Sequence, residues 1–284
     1  MRKSIFDILA EKMDLENEAE RIIAIAEDEK VLDDLSYTKY TLFQFVNKYC
    51  FRDWAFRNHC VDVDDFLNTL DYDELKESAA YDVDSMMTLI ELIYNFWILS
   101  EQKVNDDSGE FDCFGNYYHL KNVMDDILAQ YNQTAYIDKK NNCVLVIEDK
   151  PEVTAAAEIV PDELSLDVIR YNHKSLQGDI EAKRAILLRF GAELEPKRKA
   201  LHEKNKTLEK NIFQMLNNLN IRHNNINEKD PAKYRKYVAD MGKESLENWY
   251  DELYQMILLA FLLLDDVSRE ARVGELLKKV AGGQ

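Results

Sequence analysis

Arg222, His223, Asn224 and Asn225 stand side by side in the string NIRHNN. An arginine offers a fork of donors to a phosphate. A histidine titrates near neutral pH and can move protons. Together with amides that orient a scissile group, these side chains suit metal-free cleavage of RNA. In that reaction a 2′-hydroxyl attacks its own phosphate, and the protein takes one proton, gives another and stabilises extra negative charge. Arg222 and His223 are therefore the expected catalytic pair, with Asn224 and Asn225 as substrate-positioning residues. The same four residues also fit a helix end. They follow an apolar stripe that closes at Leu219, a helix C-terminus favours cations, and Asn adopts the left-handed conformation that ends helices.

Arg170 and His173, in RYNHK, are the second candidates. Three apart on a helix they would share a face and could complete a basic substrate-binding pocket beside Arg222. The carboxylate runs Asp62–Asp65 and Asp82–Asp84 invite a metal reading. However, no D-x-D-x-D-G loop is present and no histidine lies at ligand spacing, so helix capping accounts for them better. No metal and no cofactor are expected. Nucleotide-binding and common hydrolase motifs are absent. Cys50, Cys60, Cys113 and Cys143 form no C-x-x-C pair. His59, His119 and His202 are isolated and receive no role.

These residues need helices to hold them. The chain has only 8 Gly and 4 Pro in 284 residues, with 46% hydrophobic side chains, a helical composition with enough apolar surface for a large core. Val83, Met86, Met87, Ile90, Ile93, Tyr94 and Trp97 recur at helical spacing and predict one buried stripe. The run from Glu195 to His223 reads as one helix with Pro196 in its first turn. A final helix is expected to turn Trp249, Leu253, Met256, Ile257, Ala260, Phe261, Leu264 and Val267 inward. Val144 to Ile147, after a polar turn, predicts a hairpin. The expectation is an all-α, multi-helix antiparallel bundle with a minor β-hairpin near 135–148. Its parts would be an acidic helical region over 1–134, a hairpin or linker over 135–161 and a helical bundle over 162–284.

Charge is uneven along this frame. Residues 1–150 hold 32 acidic and 15 basic side chains, whereas residues 170–236 hold 8 acidic and 16 basic ones. The whole chain, at −18, would repel a polyanion, but the basic segment could attract one. The longest apolar run, Met256 to Leu264, is too short to span a bilayer, and the start reads as an acidic amphipathic helix rather than a signal peptide. A cytoplasmic protein with no membrane partner is expected.

The string YNHKSLQGDIEAKRAIL…LEPKRKAL…LNNLNIRHNN…WYDELYQMILLAFLLLD, over roughly residues 162–270, resembles the HEPN superfamily and bacterial proteins grouped with abortive-infection, or phage-defence, systems. The resemblance implies an all-α bundle, a homodimer and a metal-independent RNase. It also implies an arginine followed, after four to six residues, by a histidine. Arg222 matches the arginine and His223 falls on the polar position after it. Asn227, Glu228 and Lys229 occupy the places where the spaced histidine would lie. The expected function is thus a HEPN-like metal-independent RNase or RNA-binding protein of a phage-defence system. The alternative is a non-catalytic interaction protein whose acidic N-terminal half mimics nucleic acid or docks on a basic protein partner.

Overall fold

The computed structural model describes residues 14–29, 32–107, 109–138 and 140–282, without the side chains of residues 267, 268 and 282. Of the acidic helix expected over residues 1–20, residues 1–13 lie outside this set. The described chain is predominantly helical, with one three-stranded sheet and one hairpin. It forms two compact units, residues 1–149 and 150–284.

The first unit is built around α5 (Val83–Asp106). Asp82 caps this helix by accepting from the Ser85 amide at 2.8 Å, the capping role its sequence suggested. Asp62 does the same for α3 (Val63–Thr69), accepting from the Asp65 amide at 2.8 Å. Met86, Met87, Ile90, Ile93, Tyr94 and Trp97 are buried as the spacing predicted, but so are Leu89, Leu92 and Phe96 on the other faces. A helix apolar all round is enclosed by its neighbours. These include α1 (Leu15–Ala26), α2 (Leu42–Tyr49), α4 (Tyr72–Ala79) and α6 (Tyr117–Gln130). β1 (Leu32–Asp34) pairs antiparallel with β2 (Lys39–Tyr40) and β3 (Phe111–Cys113).

The hairpin forms from β4 (Gln133–Asp138) and β5 (Cys143–Glu148), antiparallel, with Thr134 opposite Ile147. It belongs to the first unit because α5 supplies partners for its free edge. The buried Asn95 amide donates to the Val144 carbonyl and accepts from the Val144 N–H, both at 2.9 Å. Glu91 accepts from the Val146 amide at 2.6 Å. An unpaired strand edge is thus satisfied by side chains of a helix. The expected 135–161 segment is divided between the two units, since α7 (Pro151–Ile159) packs in the second.

The second unit gathers α7, α8 (Asp162–Arg170), α9 (Ile180–Leu194), α10 (Arg198–Lys204) and α11 (Lys206–Asn218) along a long α13 (Lys243–Gly282), with a short α12 (Lys236–Ala239) before it. Asp179 caps α9 through the Ala182 amide at 2.9 Å. The expected single helix from Glu195 to His223 is broken. A 3-10 turn spans Glu195–Lys197, and Asn205 is extended between α10 and α11, where its side chain accepts from the Leu208 amide at 3.0 Å. A side chain that caps so well competes with helix continuation. On α13 the core face carries Leu253, Ile257, Ala260 and Phe261, joined by Tyr250 and Tyr254. These tyrosines rotate the helix relative to expectation, so Trp249 is left 45% exposed at the border of the face.

Candidate phosphate-handling site

α11 ends at Asn218, so Arg222 and His223 lie beyond it in a loop and not on its last turn. The left-handed residue that turns the chain is Asn220, φ 59°, in place of the expected Asn224 or Asn225. Asn225 has a different task. It is 1% exposed, and it is stapled to Asn220 by two reciprocal bonds: the Asn220 amide donates to Asn225 Oδ1 at 2.8 Å and the Asn225 amide to Asn220 Oδ1 at 3.1 Å. Asn225 Nδ2 donates to the Lys233 carbonyl at 2.7 Å. Its side-chain polar atoms are therefore committed inside the loop. Asn224 is exposed.

Arg222 is held on three sides. Nη2 donates to the Gly191 carbonyl at 2.9 Å, Nη1 pairs with Glu195 Oε2 at 2.6 Å, and the guanidinium lies 5.1 Å from the Phe213 ring centre. A Cβ on Gly191 would stand 2.9 Å from Leu216 Cδ1 and 3.3 Å from Arg222 Nη2, so the missing side chain makes room for both. His223 is half-buried, and its ring has no partner among the described residues.

Arg170 and His173 do not share a helical face, because α8 stops at Arg170. Arg170 is exposed, while His173 Nδ1 caps a 3-10 turn over Lys174–Leu176 by accepting from the Ser175 amide at 3.2 Å. The segment is anchored instead by Tyr171, which stacks on Tyr254 with ring centres 4.0 Å apart. Lys183, almost wholly buried, approaches the Tyr171 ring at 5.2 Å and bridges Glu247 at 2.7 Å and Asp251 at 2.8 Å. Burial pushes the Glu247 carboxyl up, but hydrogen bonds from Lys183 and the Gly178 amide more than offset it and leave it below the usual range. A lysine so placed is a compensated buried charge that fixes helix positions.

The arrangement around Arg222 extends to residues that received no role from sequence. Glu195 faces Arg198 as well, at 3.6 Å, and the Arg198 guanidinium lies 4.3 Å from the same Phe213 ring. Arg198 also pairs with Glu209, and Glu209 Oε2 is 3.0 Å from His202 Nδ1. Arg222, Glu195, Arg198, Glu209 and His202 thus form one continuous network. The bond to His202 holds the Glu209 carboxyl below its ordinary range, against desolvation and with help from Arg198. An ionised carboxylate only accepts, so His202 Nδ1 is the donor, and in the neutral imidazole Nε2 is then the acceptor. The Arg198 and His202 side chains are each about half exposed, at 47% and 48%. The four-residue spacing of Arg198 and His202 was readable in the sequence. The approach of Glu209 was not, because it depends on the turn at Asn205.

No family model, curated protein or solved structure matches this chain. The chemistry must therefore be read from the side chains. A carboxylate-held imidazole can act as a general base, and a half-exposed guanidinium beside it can meet an anion, while Arg222 is balanced by Glu195. Among the described residues no three His, Cys, Asp or Glu side chains group as metal ligands would, and no described helix is long and apolar enough to cross a membrane.

Proposed function

We propose that the second unit binds RNA through its phosphates and cleaves it without a metal ion, as a HEPN-like protein of bacterial phage defence. The observation that carries this reading is the juxtaposition of Arg198, with donors still facing solvent, and His202, with its Nε2 left to accept a proton. In this reading His202 takes the proton of the attacking 2′-hydroxyl. Arg198 stabilises the phosphate as charge accumulates. Arg222 anchors Glu195 and adds to the positive field, and His223, next in the chain, serves the second proton transfer. The excess of Lys and Arg over residues 170–236 supports phosphate attraction. A homodimer would offer two such sites to one strand.

The test is digestion of total RNA in EDTA by wild type, His202→Ala, Arg198→Ala and His223→Ala, each shown to be folded by circular dichroism. The expected result is cleavage with 2′,3′-cyclic ends in the wild type, lost in His202→Ala and Arg198→Ala. Full activity in both variants would refute the assignment.

A second reading is favoured by one observation: the Arg222 contacts to Gly191, Glu195 and Phe213 form a complete structural account of that residue. On that reading the chain is a non-catalytic interaction protein whose acidic first half docks on a basic partner. A folded wild type that neither cleaves nor binds RNA, yet retains a basic protein in a salt-sensitive way, would favour it.

A further inference from the structure

α13 runs 40 residues, and beyond Asp265 its described side chains are mostly exposed. Yet this last part is not polar all round. Val273, Leu276, Leu277 and Val280 are 47%, 59%, 60% and 66% exposed, and their spacing of three, one and three places them on one face. Four large apolar side chains on a solvated helical face need a partner.

The same face can be followed backward at intervals of seven. Leu259, Asp266, Val273 and Val280 occupy one position of the repeat, and Leu262, Arg269 and Leu276 the other. Leu259 is itself 47% exposed. The seam therefore covers about 32 Å of helix, from Leu259 to Val280. Its two charged members are of opposite sign and three residues apart.

That pair specifies the occupant. Two copies of the helix in parallel would set Asp266 against Asp266 and Arg269 against Arg269, a like-charge contact at each layer. Reversing one copy brings the first position of the repeat opposite the second. Asp266 then meets the partner copy's arginine at 269, Leu259 meets leucine at 276, and Leu262 meets valine at 273. Flanking the seam, Asp265 comes opposite arginine at 272. From Leu259 to Leu276, charge and apolar content become complementary in this register, and Val280 lies beyond the paired stretch. Arg269 already reaches Asp265 within its own helix at 2.7 Å, so its guanidinium lies near the place where an intermolecular carboxylate would sit.

We propose that the exposed face of α13 pairs with the same face of a second copy of this chain, antiparallel, about a centre between Val267 and Ser268. This interface stands apart from RNA cleavage: it rests on the helix alone, and losing either reading leaves the other intact.

The experiment is sedimentation equilibrium of the full chain, with circular dichroism to verify the fold. Wild type is expected to dimerise in the micromolar range, and Leu276→Glu to sediment as a monomer. Asp266→Arg alone and Arg269→Asp alone should each weaken the dimer by about ten-fold or more. The double variant D266R/R269D restores opposite charges across the antiparallel seam and should return the affinity to near that of wild type. A wild type that remains monomeric at about 100 μM would overturn the proposal. So would a dimer indifferent to Leu276→Glu, or a double variant as weak as the singles.

Discussion

Arg222 donates to the carbonyl oxygen of Gly191, thirty-one residues earlier, at 2.9 Å. That oxygen also accepts from the Glu195 amide at the end of α9. The arginine therefore supplies positive charge to the C-terminal end of a helix other than the one it follows. Truncating it would leave Glu195 without this partner and uncover Phe213. We expect Arg222→Ala to cost about 1–3 kcal/mol in urea unfolding, with Arg222→Lys intermediate because an ammonium cannot serve both acceptors as a fork. An unchanged midpoint would mean that the side chain is held for binding alone.

Gly191 admits this contact by having no side chain. Alanine there gains up to about 1 kcal/mol of helix propensity, but its methyl group must displace the buried Leu216 and crowd Arg222. Overpacking costs about 1–3 kcal/mol, so Gly191→Ala should lower the melting temperature. A rise would indicate that Leu216 changes rotamer freely.

The reciprocal bonds between Asn220 and Asn225 hold the loop that presents Arg222 and His223. Asn225→Ala removes the acceptor for the Asn220 amide and the donor to the Lys233 carbonyl. Buried groups left unpaired cost about 1–3 kcal/mol each. Asn220→Gly keeps the φ of 59° and loses only the acceptor for the Asn225 amide, so it should cost less than Asn220→Val, which loses the acceptor and strains the backbone. Hydrogen exchange would show the loss of Asn225 as faster opening of residues 219–235 well before global unfolding.

Glu209 gives the second unit a specific acid sensitivity. Its folded carboxyl titrates below the ordinary range, chiefly through His202. Stability from this group is therefore fully present above the unfolded value of about 4.3 and is lost as pH falls through the lower, folded value. Wild type and Glu209→Gln should melt furthest apart near pH 7 and converge below about pH 4. A constant gap across that range would show that the carboxylate charge is not what matters.

Binding of RNA, if it occurs through the basic segment, releases counterions. Affinity for a single-stranded RNA should fall steeply with salt, and the slope should decrease by about 0.7 for each phosphate contact removed, as in Arg198→Ala. A flat salt dependence would exclude this surface.

The residue pattern determined much of the scaffold. Low Gly and Pro content, the stripe from Met86 to Trp97, and the capping aspartates at 62, 82 and 179 are local signals, and the elements formed where those signals lay. The hairpin was legible for the same reason: β-rich residues follow a polar turn. Arg222 was singled out from sequence as a catalytic candidate, but its partners could not be read from its neighbours. They come from Gly191 on α9, from Glu195 in the turn that follows it, and from Phe213 on α11. Likewise His202 looked isolated until the extended Asn205 folded α11 back and delivered Glu209 to it. Periodicity records what a segment does with its own backbone. Which charges meet depends on where helices stop and how their ends pack, and that was decided only when the tertiary structure brought distant positions within hydrogen-bond reach.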